Sequence, residues 1–205
     1  MIKKRIGIDF DDVLFSCNER LQPFHNSRYG TNLVKDNIAT YYLHDLWKCT
    51  KEEAYKRILE FYNSEEHHSM EPMTGVVKAI HKLSKNYELF IITARPPEAE
   101  EVTKKLLQHF YTNEIKSWDK IFSKIHFVGT VGGKNKTITK AEVCLHEGID
   151  IFIEDNVHNA VSVALAGIPS LLLNQPWNEN ETIPDTVKRV YSWEEIVNEV
   201  NKTLS

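Results

Sequence analysis

The sequence predicts an α/β fold built on an open parallel sheet, and three observations predict it. Short, nearly continuous apolar runs recur along the chain, amphipathic stretches separate them, and two of the runs end in clustered carboxylates. The runs are Arg5–Asp9 (RIGID), Glu88–Thr93 (ELFIIT), Ile125–Val128 (IHFV), Asp150–Glu154 (DIFIE) and Ser170–Leu173 (SLLL). Continuous rather than alternating apolar character marks strands covered on both faces, as in parallel sheets.

The intervening stretches read as helices. Residues 74–86 place Val76, Val77, Ile80 and Leu83 on one face, and residues 98–110 do the same with Val102, Leu106, Leu107 and Phe110. Residues 156–166 follow a strand directly, with Asn156 as N-cap and Gly167–Ile168–Pro169 as the stop. The last helix opens at Ser192 with Glu195 three residues on, the pattern of a capping box. Strands alternating with helices imply right-handed crossovers and helices on both faces of the sheet.

One segment breaks the alternation. Roughly 60 residues separate the first strand from helix 74–86, far more than a strand–helix loop needs. Leu21, Phe24, Tyr29, Leu46, Trp47, Tyr55, Ile58, Leu59, Phe61 and Tyr62 recur there at helical spacing, which predicts a small helical insertion over residues 16–72. Residues 1–15 and 73–205 then form the α/β core. The charge-rich stretch EEHHSME (65–71) reads as a solvated turn.

Composition narrows the class of function. The chain has 205 residues, enough to bury about 70% of its unfolded surface in one domain with a modest insertion. A net charge of −4 gives no footprint for a nucleic-acid polymer or an anionic membrane, and no apolar stretch approaches the length of a membrane span. Three distant cysteines, Cys17, Cys49 and Cys144, fit reduced thiols in a cytoplasm better than a disulfide framework or a zinc site.

The chemistry is written at the strand ends. Asp9 and Asp11 point the same way if the first strand continues through them, into the crevice beyond the carboxyl ends of the sheet. Two carboxylates at close range repel unless a cation or a shared proton intervenes, so the site calls for a hard divalent cation or a retained proton; a solvated turn is the bland alternative. Glu154 and Asp155 end another apolar run. If their strand neighbours the first, the two acidic tips share one ion, and Mg²⁺ takes one or two carboxylates with water and phosphate. Thr93 ends a third strand ahead of a helix start, where a hydroxyl and free N–H groups hold a phosphate oxygen. Arg95 meets phosphate or closes a surface ion pair. Between Gly129 and Lys140 stand Lys134, Lys136 and Lys140, any of which supplies the positive charge that clustered carboxylates need. The aromatics Phe15, Phe24, Tyr41, Tyr42 and Trp47 either stack a base or form the core of the insertion.

Taken in order, Asp9-x-Asp11-x-Val13, Thr93, a following lysine and Glu154–Asp155 resemble the four motifs of the haloacid dehalogenase (HAD) superfamily of phosphohydrolases. The match spans residues 6–156 and extends through AGIP (Ala166–Pro169). FHNSRYGT (24–31), LNQPWN (173–178) and YSWEEI (191–196) resemble the 5′(3′)-deoxyribonucleotidase-like branch and its bacterial relatives. The resemblance implies a Rossmann-like core with a type-1 helical cap after the first strand, over residues 16–72. It implies Mg²⁺-dependent hydrolysis of a small phosphorylated metabolite, a nucleoside monophosphate among the candidates, through an aspartyl-phosphate. Carried over by position, Asp9 is the nucleophile, Asp11 the general acid and base, Thr93 the phosphoryl-oxygen donor and Lys140 the site lysine, with Lys136 its rival. Asp9, Asp155 and the backbone carbonyl of Asp11 would hold the metal, with Glu154 in support. Two departures stand out: Asp12 replaces a small residue after the second aspartate, and the acidic pair is Glu–Asp rather than Asp–Asp. Asp11 argues against a dehalogenase, which needs no acid at that position. A phosphotransferase or mutase of the same fold, or a binding module without turnover, remains the alternative.

Overall fold

The computed structural model describes residues 3–114, 121–129 and 138–204. Among them six strands form one sheet: β1 (Arg5–Ile8), β2 (Glu88–Thr93), β3 (Phe122–Phe127), β4 (Ile151–Glu154), β5 (Ser170–Leu173) and β6 (Val187–Val190). Their spatial order is β3-β2-β1-β4-β5-β6, and every pair is parallel. The chain builds outward from β1 in one direction, then returns to lay β4 on its other side. That reversal leaves a crevice at the carboxyl ends of β1 and β4, the topological switch point where open α/β sheets bind ligands.

Side chains alternate between two buried faces. Ile6, Ile8, Leu89, Ile91, Ile151 and Ile153 face α5 (Val76–Ser84), α6 (Glu100–Glu114) and α9 (Trp193–Leu204). Phe90, Ile92 and Phe152 face the opposite layer, with Val143 and Cys144 of α7 (Lys140–Glu147) and Val163 of α8 (Val157–Leu165). Burying each such side chain contributes roughly 1.5–3 kcal/mol, which is why these runs are continuously apolar. Asn156 caps α8 as the sequence predicts, accepting a hydrogen bond from Asn159 N at 2.9 Å. Ser192 likewise accepts from Glu195 N, but the Glu195 carboxylate turns to Tyr191 N instead of closing the box.

The structure departs from the sequence reading in three further places. β6 carries no continuous apolar run: Val187 and Val190 are buried while Lys188 is exposed, the half-covered pattern of an edge strand. β3 starts three residues earlier than expected because Ser123 and Lys124, exposed at the other edge, hide it from an apolar search. The stretch EEHHSME is not a solvated turn. Its first half is α4 (Glu65–His68), and His67 and Met70 are fully buried. The Phe110 side chain lies outside the described residues.

Between β1 and α5 the chain is helical, with α1 (Asn18–Tyr29), α2 (Leu43–Leu46), α3 (Lys51–Tyr62) and α4. Thr50 caps α3, which turns Ala54, Ile58, Phe61 and Tyr62 inward. The segment enters and leaves the fold at one place: Phe15 bridges Pro72, and Ser16 N donates to Glu71 O at 2.9 Å. Among the described residues no helix is long and apolar enough to cross a membrane. Cys17, Cys49 and Cys144 are free thiols.

Gly7 sets how closely β1 and β4 pack on the α7–α8 side. A Cβ there would lie 2.8 Å from Phe152 Cδ2 and 3.2 Å from Ile149 and Ile92. Gly7→Ala is therefore expected to lower the unfolding free energy by about 1–3 kcal/mol in denaturant melts; an unchanged midpoint would mean that this layer has slack.

Candidate active site

β1 ends where its backbone is handed to the site. Ile8 pairs with Ile153, and Asp9 N donates to Ile153 O at 2.9 Å, so Asp9 stands beside Glu154. The neighbouring-strand condition set by the sequence is met. Asp9, Glu154 and Asp155 bring carboxylate oxygens within 4.8 Å of one another, and all three residues are buried.

Such a cluster needs a counter-charge, and Lys140 supplies it. Its Nζ lies 2.7 Å from Asp9 Oδ1 and 2.7 Å from Glu154 Oε2. Lys140 is the first residue of α7, whose start is fixed by a reciprocal Thr139–Glu142 capping box. Burial pulls the ammonium's pKa down, but the two carboxylates outweigh it and hold the group charged. Lys134 and Lys136 lie outside the described residues. Glu154 has both oxygens engaged: Oε2 by Lys140, and Oε1 by Asp155 N and Asn156 N, each at 3.1 Å. Asp155 differs. Trp177 Nε1 donates to its Oδ2 at 2.9 Å, while its buried Oδ1 has no hydrogen-bond partner among the described residues. Burial and the negative charge of Glu154 push the carboxyls of both Asp9 and Asp155 well above the usual carboxylate range.

Asp11 and Arg95 form the second half of the site. Arg95 grips Asp11 with two bonds, Nε to Oδ2 at 2.9 Å and Nη2 to Oδ1 at 2.7 Å. The sequence left Arg95 between a phosphate contact and a surface ion pair; the pair is real, but Arg95 is buried. Its guanidinium lies between the rings of Phe10 and Tyr62, 4.3 and 4.8 Å from their centroids, and reaches Thr103 Oγ1 and His67 Nε2. Burial would raise the Asp11 carboxyl, but Arg95 overrides it and lowers the pKa. His67 is held neutral, its pKa brought down to about 3 by burial and then by Arg95. Thr93 ends β2 fully buried, its hydroxyl accepting from Arg95 N at 3.1 Å.

Asp12 has a structural task. Its φ of +54° is the left-handed conformation that explains why a small residue suits this position. Its carboxylate accepts from Asn18 N at 3.1 Å and Asn18 Nδ2 at 2.7 Å, fastening the start of α1. Burial raises this carboxyl to about 7.

Asp9, Asp11, Thr93, Arg95 and Asp155 line one cavity of about 400 Å³, whose roof is the helical segment. Of the candidate stacking aromatics, Phe15, Phe24 and Trp47 belong to the core, whereas Tyr41 and Tyr42 line the cavity. Tyr41 is 37% exposed, at the solvent side of the cavity, and its phenol is pushed up by its surroundings in the cavity and then by the charges of Asp155 and Asp9. The sequence reading assigned no role to Trp177 or Asn178. The tryptophan at the end of NQPW was the available signal, standing in a polar loop directly after a buried strand.

A parallel sheet with a strand-end aspartate, a lysine and an acidic pair beneath a helical roof defines the HAD type of phosphohydrolase. The chain belongs to the family described as 5′ nucleotidase, deoxy (pyrimidine), cytosolic type C protein (NT5C), whose model matches residues 3–203. It is a phosphatase of that superfamily. A nucleotidase of Clostridium acetobutylicum is 28% identical over 86% of this chain and 83% of its own length. Two solved structures share the fold. CbbY of Rhodobacter sphaeroides in complex with phosphate has a TM-score of 0.64 and 13% identity, covering 95% of this chain and 96% of that one. The HAD-hydrolase YfnB of Bacillus subtilis bound to magnesium has a TM-score of 0.60 and 14% identity, covering 98% of this chain and 100% of that one.

The raised carboxyls set the pH dependence of the metal-free protein. Asp9, Asp12 and Asp155 bind protons more tightly folded than unfolded, so their stabilising effect is full below the unfolded value of 3.8 and is lost as pH rises through the folded one, about 7 for Asp12. Asp11, lowered from 3.8, acts only below this range, whereas His67 and His25, lowered to about 3 and about 4, add stability as pH rises toward 6.5; above that the raised carboxyls dominate. In chelator, the melting temperature is expected to fall from about pH 6.5 to pH 8, and Asp12→Asn to flatten that fall. A rise over the same range would contradict the assignment.

Proposed function

We propose that the chain is a Mg²⁺-dependent phosphomonoester hydrolase that works through an aspartyl-phosphate on Asp9 and acts on nucleoside monophosphates. The observation that carries this reading is the buried Asp9–Lys140–Glu154–Asp155 cluster, whose Asp9 and Asp155 line a cavity of about 400 Å³. The donor set fits a hard cation: all oxygens, closely spaced, with Asp155 Oδ1 buried and without a partner among the described residues. Asp9 and Asp155 would hold the ion with the Asp11 carbonyl, and Glu154, already saturated, would support them. When bound, the cation neutralises charge so that one anion can approach another.

Asp9 attacks phosphorus, forming a carboxyl oxygen–phosphorus bond as the ester oxygen leaves. Asp11 gives the departing alkoxide a proton, then takes one from the water that attacks phosphorus and frees Asp9. Arg95 keeps Asp11 ionised in the resting site, and the negative charge of an arriving phosphate is what raises its proton affinity. We assign Arg95 to substrate binding through Asp11, since its own donors are spent on protein groups. Lys140 keeps Asp9 oriented and, with Thr93, offers donors to the phosphoryl oxygens.

The leaving group would sit under the helical segment, which we read as the cap over residues 16–72. Tyr41, Tyr42, Leu43, Tyr55 and Ile58 give the cavity an apolar upper wall, and stacking a base on such rings contributes roughly 1–3 kcal/mol. A reducing cytoplasm suits the three free thiols.

The test is a panel of 5′- and 3′-nucleotides, sugar phosphates and p-nitrophenyl phosphate with Mg²⁺. Nucleotides are expected to give the highest kcat/KM, and equal values across the panel would remove the nucleotide assignment. Asp9→Asn should lose several orders of magnitude in rate yet still bind phosphate. Near-normal turnover in that variant would overturn the nucleophile.

A further inference from the structure

The Asp155 carboxylate is held by one oxygen and bare at the other, and the hand that holds it belongs to a loop outside the four motifs. Trp177, 6% exposed, donates its indole N–H to Oδ2 at 2.9 Å. The loop carrying it is anchored at every turn. Asn178 Nδ2 donates to Asp155 O at 2.7 Å and to Leu173 O at 2.9 Å, while its Oδ1 accepts from Gln175 N and from Arg189 Nη1. Gln175 Nε2 reaches across to Asp12 O at 2.8 Å. Residues 174–178 thus tie together the end of β5, the turn after β4 and the turn after β1.

A carboxylate with no directional partner turns about its last bond, and each orientation presents different oxygens to the cavity. Here the indole removes that freedom. It bonds one oxygen, and the other is left buried with no donor among the described residues. The choice of donor matters as well. Lys140 places a full positive charge on Asp9 and Glu154, whereas an indole N–H is neutral and leaves the Asp155 charge available to a cation.

We propose that Trp177 is a positioning residue for the divalent cation, its N–H fixing the Asp155 carboxylate so that Oδ1 faces the ion. This rests on the metal reading given under Proposed function. Hydrogen bonds to a metal ligand from the surrounding shell typically control about 10–100-fold in metal affinity.

Calorimetric titration of the intact protein with Mg²⁺ separates the possibilities. Wild type is expected to bind, and Trp177→Phe, which keeps a ring but removes the N–H, to bind about 10–100-fold more weakly. Rate lost by the variant at low Mg²⁺ should be partly recovered by raising Mg²⁺, a dependence that a purely structural tryptophan would not produce. Binding by the variant within twofold of wild type overturns the role of Trp177 while leaving the metal reading intact. No Mg²⁺ binding by wild type overturns both. Should the variant fail to fold, the ¹⁵N-indole spectrum of wild type decides: the Trp177 N–H resonance is expected to shift as Mg²⁺ is added. A stationary resonance with Mg²⁺ bound elsewhere in the titration record contradicts the proposal.

Discussion

A single ammonium group, that of Lys140, makes the centre of this fold tenable. Three carboxylates within 4.8 Å of one another are buried at the ends of two adjacent strands, and burying charge without compensation costs several kcal/mol per ion. Lys140 bridges Asp9 and Glu154 at 2.7 Å each, and the backbone N–H groups opening α8 hold the rest of Glu154. The compensation is partial. Burial and the neighbouring Glu154 still raise the proton affinities of Asp9 and Asp155 strongly.

Everything else places partners around that centre. Parallel pairing of β1 with β4 brings Asp9 and Asp155 together across well over a hundred residues of chain. Pairing of β1 with β2 sets Thr93 and Arg95 on the opposite flank. Arg95 then links the floor to the roof: it grips Asp11 on one side and meets His67 and Tyr62, at the end of the helical segment, on the other. The segment's two ends run side by side at Phe15 and Pro72, so its chain connections to the sheet lie together.

What was legible in the sequence followed from burial on both faces. Strands in the middle of the sheet show as apolar runs, and a carboxylate that ends such a run stands out as chemically costly. Of the edge strands, β6 did not show and β3 showed only in its second half, because their exposed faces carry Lys188, Ser123 and Lys124 like any loop. The carboxylates and hydroxyl of the candidate site were readable for the same reason: Asp9, Thr93, Glu154 and Asp155 stand at or next to strand ends, and Asp11 follows in the turn after β1, which stops at Ile8 instead of running on through it. Lys140 was chosen over Lys136 only by its place ahead of the acidic strand, since its reach depends on the start of α7. What Asp12, His67 and Trp177 do is fixed by partners distant in space or by a left-handed backbone, and no local pattern carries that information. The aromatics of the insertion divide likewise: Phe15, Phe24 and Trp47 went to the core, Tyr41 and Tyr42 to the cavity, and helical spacing alone does not separate the two.

The most direct measurement of the central claim is chemical trapping of the enzyme during turnover. Rapid quenching with substrate and Mg²⁺ present, followed by borohydride reduction and peptide mapping, converts an acyl phosphate on an aspartate into homoserine. Homoserine at position 9 is the predicted result. Steady turnover with position 9 unmodified, or with the label on another carboxylate, would contradict the account.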